Sequence, residues 1–395
     1  MTAPVALEDA LLATDTPAAT TTRRPVASTT DLLAQLADVD TPVLLFDLDQ
    51  VDANIQAMQA LALRHGLRLR PHVKTSKSPE IARMQIAAGA VGVCCAKLSE
   101  AEVMVEGGLA DVVITSPVVT PAKQRRVAAL QTRARVTVAV DHPQTALGLA
   151  AAADAYGGQI GVYVELDVGQ ARTGLADPDA LAELAALVAQ QPQLRLDGLQ
   201  AYNGSVQFIV DTDERRAAVN RVAEQIRRAR AACAARGVEI PLVSGGGTGS
   251  ADFDVLAGAI DELQAGSYVC MDGQYAGIDW PQGRSPFGLA LTVLATVIST
   301  PTPTRAVLDS GWKTVSVDAG PPVAMDLPGA RFRFGGDEHG VLDVDDPALR
   351  PALGDLVRLR PAHVDTTVNL HDAALALRAG RISHRLVIAA RGCVR

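Results

Sequence analysis

The chain has 395 residues, of which 48% are hydrophobic but only 3% aromatic, with a formal net charge of −8 and a pI near 5.4. That length exceeds what one core usually fills and predicts two domains, and the excess of alanine, valine and leucine suits an α/β protein. The acidic balance argues against nucleic acid or an anionic membrane as a partner, because phosphate binding needs clustered Lys and Arg.

Residues 1–38, rich in Thr, Ala, Pro and Asp, predict a mobile extension ending in a short helix at Asp31–Leu36. This segment has no apolar signal-peptide core, Arg23-Arg24 leads into polar residues, and no run in the chain has the length of a membrane span. Five cysteines, an odd number that includes the adjacent Cys94-Cys95, fit a reducing cytoplasm better than a disulfide framework. A strand at Pro42–Asp47 and a helix from Asp52 to His65 come next. Apolar runs then recur at Leu67–Lys74, Gly92–Ala96, Asp111–Thr115, Arg135–Val140, Gly161–Leu166, Leu196–Tyr202, Pro241–Ser244 and Glu262–Tyr268, separated by amphipathic segments. Eight such runs predict a (β/α)8 barrel of the TIM type over 39–284, with its site at the C-terminal strand ends. From 285 to 395 the texture changes to shorter strands, Ala290–Ile298, Arg305–Leu308, Thr314–Val317, Arg331–Phe334, Val357–Leu359 and Leu386–Ala389, which predict a β-rich second domain.

Several polar residues stand where the barrel strands end. Lys74, in Arg70-Pro71-His72-Val73-Lys74-Thr75-Ser76-Lys77, closes the first run. Burial at a barrel mouth favours the neutral amine, which is the nucleophilic form; a solvated basic turn is the competing reading. Gly245-Gly246-Gly247-Thr248-Gly249 follows the seventh run, so bare amides at Gly246, Gly247 and Thr248 can approach a phosphate, unless the run is only a tight turn. Its position does not match a dinucleotide fingerprint, which follows the first strand. Arg172, Tyr202 and Tyr268 end the fifth, sixth and eighth runs. His363 and Asp365 are two apart, and on a strand that spacing would aim an imidazole and a carboxylate at one divalent cation; an exposed sheet edge is the alternative. Nitrogen and oxygen ligands suit Mn²⁺ or Mg²⁺.

Together with Glu165–Gly174, Gly198–Gly204 and Pro361–Asp365, these stretches closely resemble the D-threonine aldolase and D-serine dehydratase family. These are fold-type III pyridoxal phosphate enzymes related to alanine racemase, and the similarity runs from Thr41 to about Gly392. The resemblance implies that Lys74 carries pyridoxal phosphate, that Arg172 contacts its phenolic oxygen and that Tyr202 lies beside its ring. Tyr268 is a candidate phosphate ligand. It also implies a metal on His363 and Asp365, bordered by Asp337-Glu338-His339-Gly340, a strand at Pro42–Asp47 that joins the second domain, and a homodimer. Asp365 stands where the dehydratases have cysteine, which favours the aldolase branch. The implied reaction cleaves D-β-hydroxy-α-amino acids of the D-threonine type to glycine and an aldehyde.

Two positions depart from the family pattern. Asn203 and Phe208 stand where histidine or glutamine, and histidine, are expected, and phenylalanine cannot accept a proton from the substrate hydroxyl. Elimination from D-serine or 3-hydroxyaspartate is therefore the main rival reading. A racemase lacks a clear tyrosine base, and a non-catalytic pyridoxal phosphate carrier would lack the second domain.

Overall fold

The computed structural model describes Leu36 and residues 38–395; the extension and short helix expected before them lie outside the described residues, apart from Leu36 and Asp38. Eight parallel strands form one sheet: β2 (Arg68–Leu69), β3 (Val93–Cys95), β4 (Asp111–Ile114), β5 (Arg135–Val140), β6 (Ile160–Glu165), β7 (Leu194–Ala201), β8 (Val243–Gly245) and β9 (Glu262–Leu263). Their order is β2-β9-β8-β7-β6-β5-β4-β3, and a parallel bridge between His72 and Cys94 joins the two ends into a barrel. Strands such as β5 (Arg-Val-Thr-Val-Ala-Val) and β6 (Ile-Gly-Val-Tyr-Val-Glu) are apolar almost throughout and almost wholly buried, because side chains fill the barrel inside and helices cover it outside.

Local chemistry starts the helices. Asp47, Asp177 and Asp211 accept amide hydrogen bonds at the N-termini of α1 (Leu48–Arg64), of the helix Pro178–Ala189 and of the helix Thr212–Ala235. The end of the barrel away from the strand C-termini is held by charges. Arg70 lies 2.7 Å from Asp111 and 3.0 Å from Glu262, while Asp197 accepts from Arg135, Thr137 and Arg195 at 2.6–2.9 Å.

The second sheet runs β13 (Arg331–Phe334), β14 (Gly340–Asp343), β11 (Arg305–Leu308), β10 (Leu291–Thr302), β1 (Val43–Asp47), β16 (Ala373–Arg378) and β17 (Arg381–Val387), with β15 (Leu356–Arg360) and β12 (Val323–Ala324) branching from β10. β1 pairs antiparallel with β10 and parallel with β16, so the first described strand belongs to this sheet and α1 leads from it into the barrel.

Three expected strand segments are corrected. Thr314–Val317 is a turn, because the amides of Thr314 and Val315 both bond to the Gly311 carbonyl. The eighth barrel run pairs only over Glu262–Leu263, and Ser267–Val269 winds into a 3₁₀ turn. His363 and Asp365 are not on a strand: His363 is the N-cap of the helix Val364–Val368 and Asp365 sits in its first turn. That helix forms because Asp272 accepts the Val364 amide at 2.9 Å and the Thr367 hydroxyl donates to the His363 carbonyl at 2.8 Å.

Candidate active site

The segment after β2 places three cations in three environments. Arg70 and Lys77 have side chains 6% and 9% exposed and are held by Asp111, Glu262 and Glu100, whereas the Lys74 side chain is 41% exposed at the barrel mouth. The solvated basic turn is thus ruled out, since its flanking charges are buried. Lys74 Nζ lies 3.3 Å from Asp365 Oδ2, and that carboxylate, helped by Tyr202, holds the lysine above its usual range against the opposing pull of burial. Where burial alone would favour the neutral amine, the Asp365 carboxylate of the second domain favours the ammonium form of Lys74.

A polar chain lines the mouth beside it. Burial, then the Lys74 charge, push His72 down to about 3, so the ring is neutral. Its Nδ1 accepts the Lys74 amide at 3.3 Å, which leaves the proton on Nε2 to donate to Thr115 Oγ1 at 3.1 Å. Gln200 Nε2 donates to the Thr115 carbonyl and to Glu165 Oε1, both at 3.0 Å, and Thr173 donates to the same carboxylate oxygen at 3.0 Å. Burial raises Glu165 despite these bonds. Among the described residues, Glu165 Oε2 and Gln200 Oε1 are buried without a hydrogen-bond partner. Arg172 is exposed, with its guanidinium 5.8 Å from the Tyr202 ring centroid, and its charge acts on both His72 and Lys74.

The glycine loop is internally bonded more than bare. The Gly247 amide meets Ser250 Oγ and Asp254 Oδ2, while Gln207 Oε1 accepts from the amides of Gly249 and Ser250. Gly246 takes a φ of +68°, and a Cβ there would stand 2.5 Å from Asp254 Oδ2, so only glycine fits. Burial pushes Asp254 up to about 7. Among the described residues the Thr248 amide has no protein acceptor, and Thr248 Oγ1 accepts the Tyr268 amide at 3.0 Å. Tyr268, the expected phosphate ligand, is 0% exposed, its hydroxyl accepts from Gln85 Nε2 at 2.9 Å, and its ring packs on Phe287.

His363 and Asp365 do converge on the mouth, though from a helix start. His363 Nδ1 bonds to Asp318 Oδ2 at 2.5 Å, and Asp318 is steadied by the hydroxyls of Ser316 and Thr366. Burial raises Asp365, but Lys74, then His363 and the Thr75 hydroxyl bring it below the usual carboxylate range. Among the described residues no group of three His, Cys, Asp or Glu is set to hold a metal ion. Asp337, Glu338 and His339 form an exposed turn whose Glu338 pairs with Lys313 at 2.5 Å.

His72, Glu165 and Gln200 lie in segments the sequence singles out, but no pattern there gives these residues a role. His72 lies two residues before Lys74, and Gln200 two before Tyr202, a spacing that was visible. Asp318 and Asp272 had no local signal, because their partners come from distant segments.

An eight-stranded parallel barrel with a lysine at its mouth, facing a β-rich domain, defines an alanine racemase-like fold. A model described as "Alanine racemase, N-terminal domain" matches residues 46–273, and the chain belongs to that family; a second, "Putative serine dehydratase domain", matches 290–377. The chain is 44% identical to a D-threonine aldolase of Arthrobacter sp over 358 residues, covering 90% of this chain and 94% of that protein. It is 39% identical to a 3-hydroxy-D-aspartate aldolase of Paracoccus denitrificans (strain Pd 1222) over 362 residues, covering 90% and 93%. The crystal structure of a D-threonine aldolase from Filomicrobium marinum superposes with a TM-score of 0.88 at 42% identity, covering 91% of this chain and 97% of that one.

Proposed function

We propose that the protein is a carbon–carbon lyase, dependent on pyridoxal phosphate and a divalent ion, that cleaves D-β-hydroxy-α-amino acids to glycine and an aldehyde. The observation that carries this reading is the Lys74–Asp365 pair at 3.3 Å, which couples a mouth lysine of the barrel to the His363 helix of the second domain. The mouth suits a polar, anionic cofactor. Lys74 and Arg172 bring positive charge for an anionic group, and among the described residues the buried acceptor oxygens Glu165 Oε2 and Gln200 Oε1 have no partner and are left for a ligand's donors.

In this reading Lys74 holds the cofactor, Arg172 and Tyr202 flank it, and Gly246, Gly247 and Thr248 face its phosphate. Bound pyridoxal phosphate supplies an electron sink for the pair left at Cα. His363 and Asp365 give a divalent ion two ligands, water and substrate completing the shell that Mn²⁺ or Mg²⁺ requires. The carboxylate of Asp318 on His363 Nδ1 is the arrangement that orients a metal-binding imidazole. Ionised Asp365 places negative charge where the β-hydroxyl must lose its proton, and Lys74 holds a proton on Nζ beside it. All five cysteines are free thiols, four of them buried, which agrees with a cytoplasmic setting. No described helix is long and apolar enough to cross a membrane.

Elimination remains the second reading, because Phe208 provides no base where the resemblance expects histidine. The test is product identity. Purified protein, incubated with D- and L-β-hydroxy amino acids with and without Mn²⁺, should give glycine and an aldehyde from the D-isomers, with the ion required. A keto acid and ammonia in their place would overturn the aldolase reading.

A further inference from the structure

Asp254 lies behind the glycine loop, in the helix Ala251–Ala257 that follows it, and is buried. Its Oδ2 accepts the Ser250 hydroxyl at 2.6 Å and the Gly247 amide at 3.3 Å, and a Cβ on Gly246 would stand 2.5 Å from the same oxygen. Gln207 Nε2 donates to Ser250 Oγ at 2.8 Å, which directs the serine's own hydrogen to Asp254. One carboxyl group thus backs Gly246 and Gly247, two of the loop residues that the proposed function sets before a phosphate.

The elements packed around Asp254 bring it no counter-charge. Val219, Val222, Ala223 and Ile226 of the helix Thr212–Ala235, with Ala201 and Ile260, wall the space beside it. The charged groups of these elements are engaged elsewhere: Asp252 lies in the field of Arg215, Arg230 pairs with Asp261, and Arg227 donates to the Ala257 carbonyl at 2.7 Å. Among the described residues only Ser250 and Gly247 offset the burial, which pushes the acid up to about 7. A carboxylate buried without a cation is costly, so such a group takes a proton when a second negative charge comes beside it.

Resting on the reading that Gly246, Gly247 and Thr248 face the cofactor's phosphate, we propose that Asp254 is a positioning residue of that loop whose proton is linked to the cofactor: the phosphate docks as Asp254 takes up one proton from solvent, and its release is favoured as that proton is lost. Neutral Asp254 still accepts from Ser250 and Gly247, so the loop keeps its shape while the charge behind it is removed. Ionised Asp254 sets a negative charge behind the loop and weakens its hold on a second one.

The test measures the Kd of pyridoxal phosphate for the parent, Asp254→Asn and Ser250→Ala at a series of pH values, with pyridoxal, which lacks the phosphate, as control. Asparagine keeps the acceptor oxygen but does not titrate. The titrations of Lys74 and of the cofactor are common to both chains, so they cancel in the ratio of parent to Asp254→Asn. That ratio should rise from near one at about pH 6 to about tenfold at about pH 9, and with pyridoxal it should stay flat. Ser250→Ala removes a donor that favours the ionised acid, so its rise should begin at higher pH than the parent's. Infrared difference spectra on adding the cofactor at about pH 8 should show a carboxylic acid band that Asp254→Asn lacks. The proposal is overturned by a ratio that stays constant with pH, including a variant weaker by the same factor throughout, or by an equal rise with pyridoxal. If Asp254→Asn does not fold, the shift of Ser250→Ala against the parent decides by its presence or absence. A parent that retains no pyridoxal phosphate overturns the loop assignment and this inference together, whereas a flat ratio with cofactor retained overturns the inference alone.

Discussion

Replacing Lys77 by methionine tests whether the turn that presents Lys74 is held by a buried ion pair. Lys77 Nζ lies 2.8 Å from Glu100 Oε1, with side chains 9% and 1% exposed, and Glu100 Oε2 accepts the Ala96 amide at 2.6 Å. Lys77 also adopts a φ of +50°, uncommon for a side-chain-bearing residue, and its carbonyl accepts the Ala390 amide at 3.0 Å. Methionine keeps the length of the stem but leaves Glu100 with one amide donor and no counter-charge. Breaking one side of a buried pair costs about 3–5 kcal/mol, whereas replacing both partners with apolar groups is often close to neutral. Denaturant unfolding of Lys77→Met should show that loss, and Lys77→Met/Glu100→Met should recover most of it. Lys74 lies on the same turn, so equilibrium dialysis should show weaker cofactor retention in the single variant. A loss below about 1 kcal/mol, or a double variant as unstable as the single, would refute the reasoning.

Asp365→Asn removes the charge that holds Lys74 above its usual range, so more neutral amine is present near pH 7 and cofactor should load faster than in the parent. Loading followed by absorbance at several pH values checks this, and an unchanged pH profile would contradict it. Chelation of the parent should abolish turnover while borohydride-fixed cofactor still maps to Lys74; label on Lys77 or Lys97 would reject that assignment. His72→Asn addresses acid stability. His72 sits at about 3 when folded against 6.5 ordinarily, so between those values the unfolded chain binds the extra proton. The contribution is therefore present above pH 6.5 and is lost as pH falls towards 3, at up to about 1.4 kcal/mol per pH unit. The variant should lose less stability than the parent between pH 6.5 and 4 in denaturant titrations; equal slopes would count against it.

The sequence by itself determined the barrel and its mouth. Continuous apolar runs such as Arg135–Val140 can be buried on both faces only in a covered parallel sheet, and the ends of those runs mark the mouth, so Lys74 and Tyr202 could be located from periodicity. The tertiary structure alone decided what each of these groups meets. His363 and Asp365 read as strand neighbours until Asp272, from a distant turn, captured the Val364 amide and started a helix between them. Tyr268 ended an apolar run but turned inward to Gln85, and Lys74 met Asp365 across the two domains, so its charge state followed a partner that no local pattern reveals. The physical reason is range: hydrophobic periodicity acts between residues a few positions apart, whereas a carboxylate reaches a lysine or an amide only after folding has brought remote segments within a few ångströms.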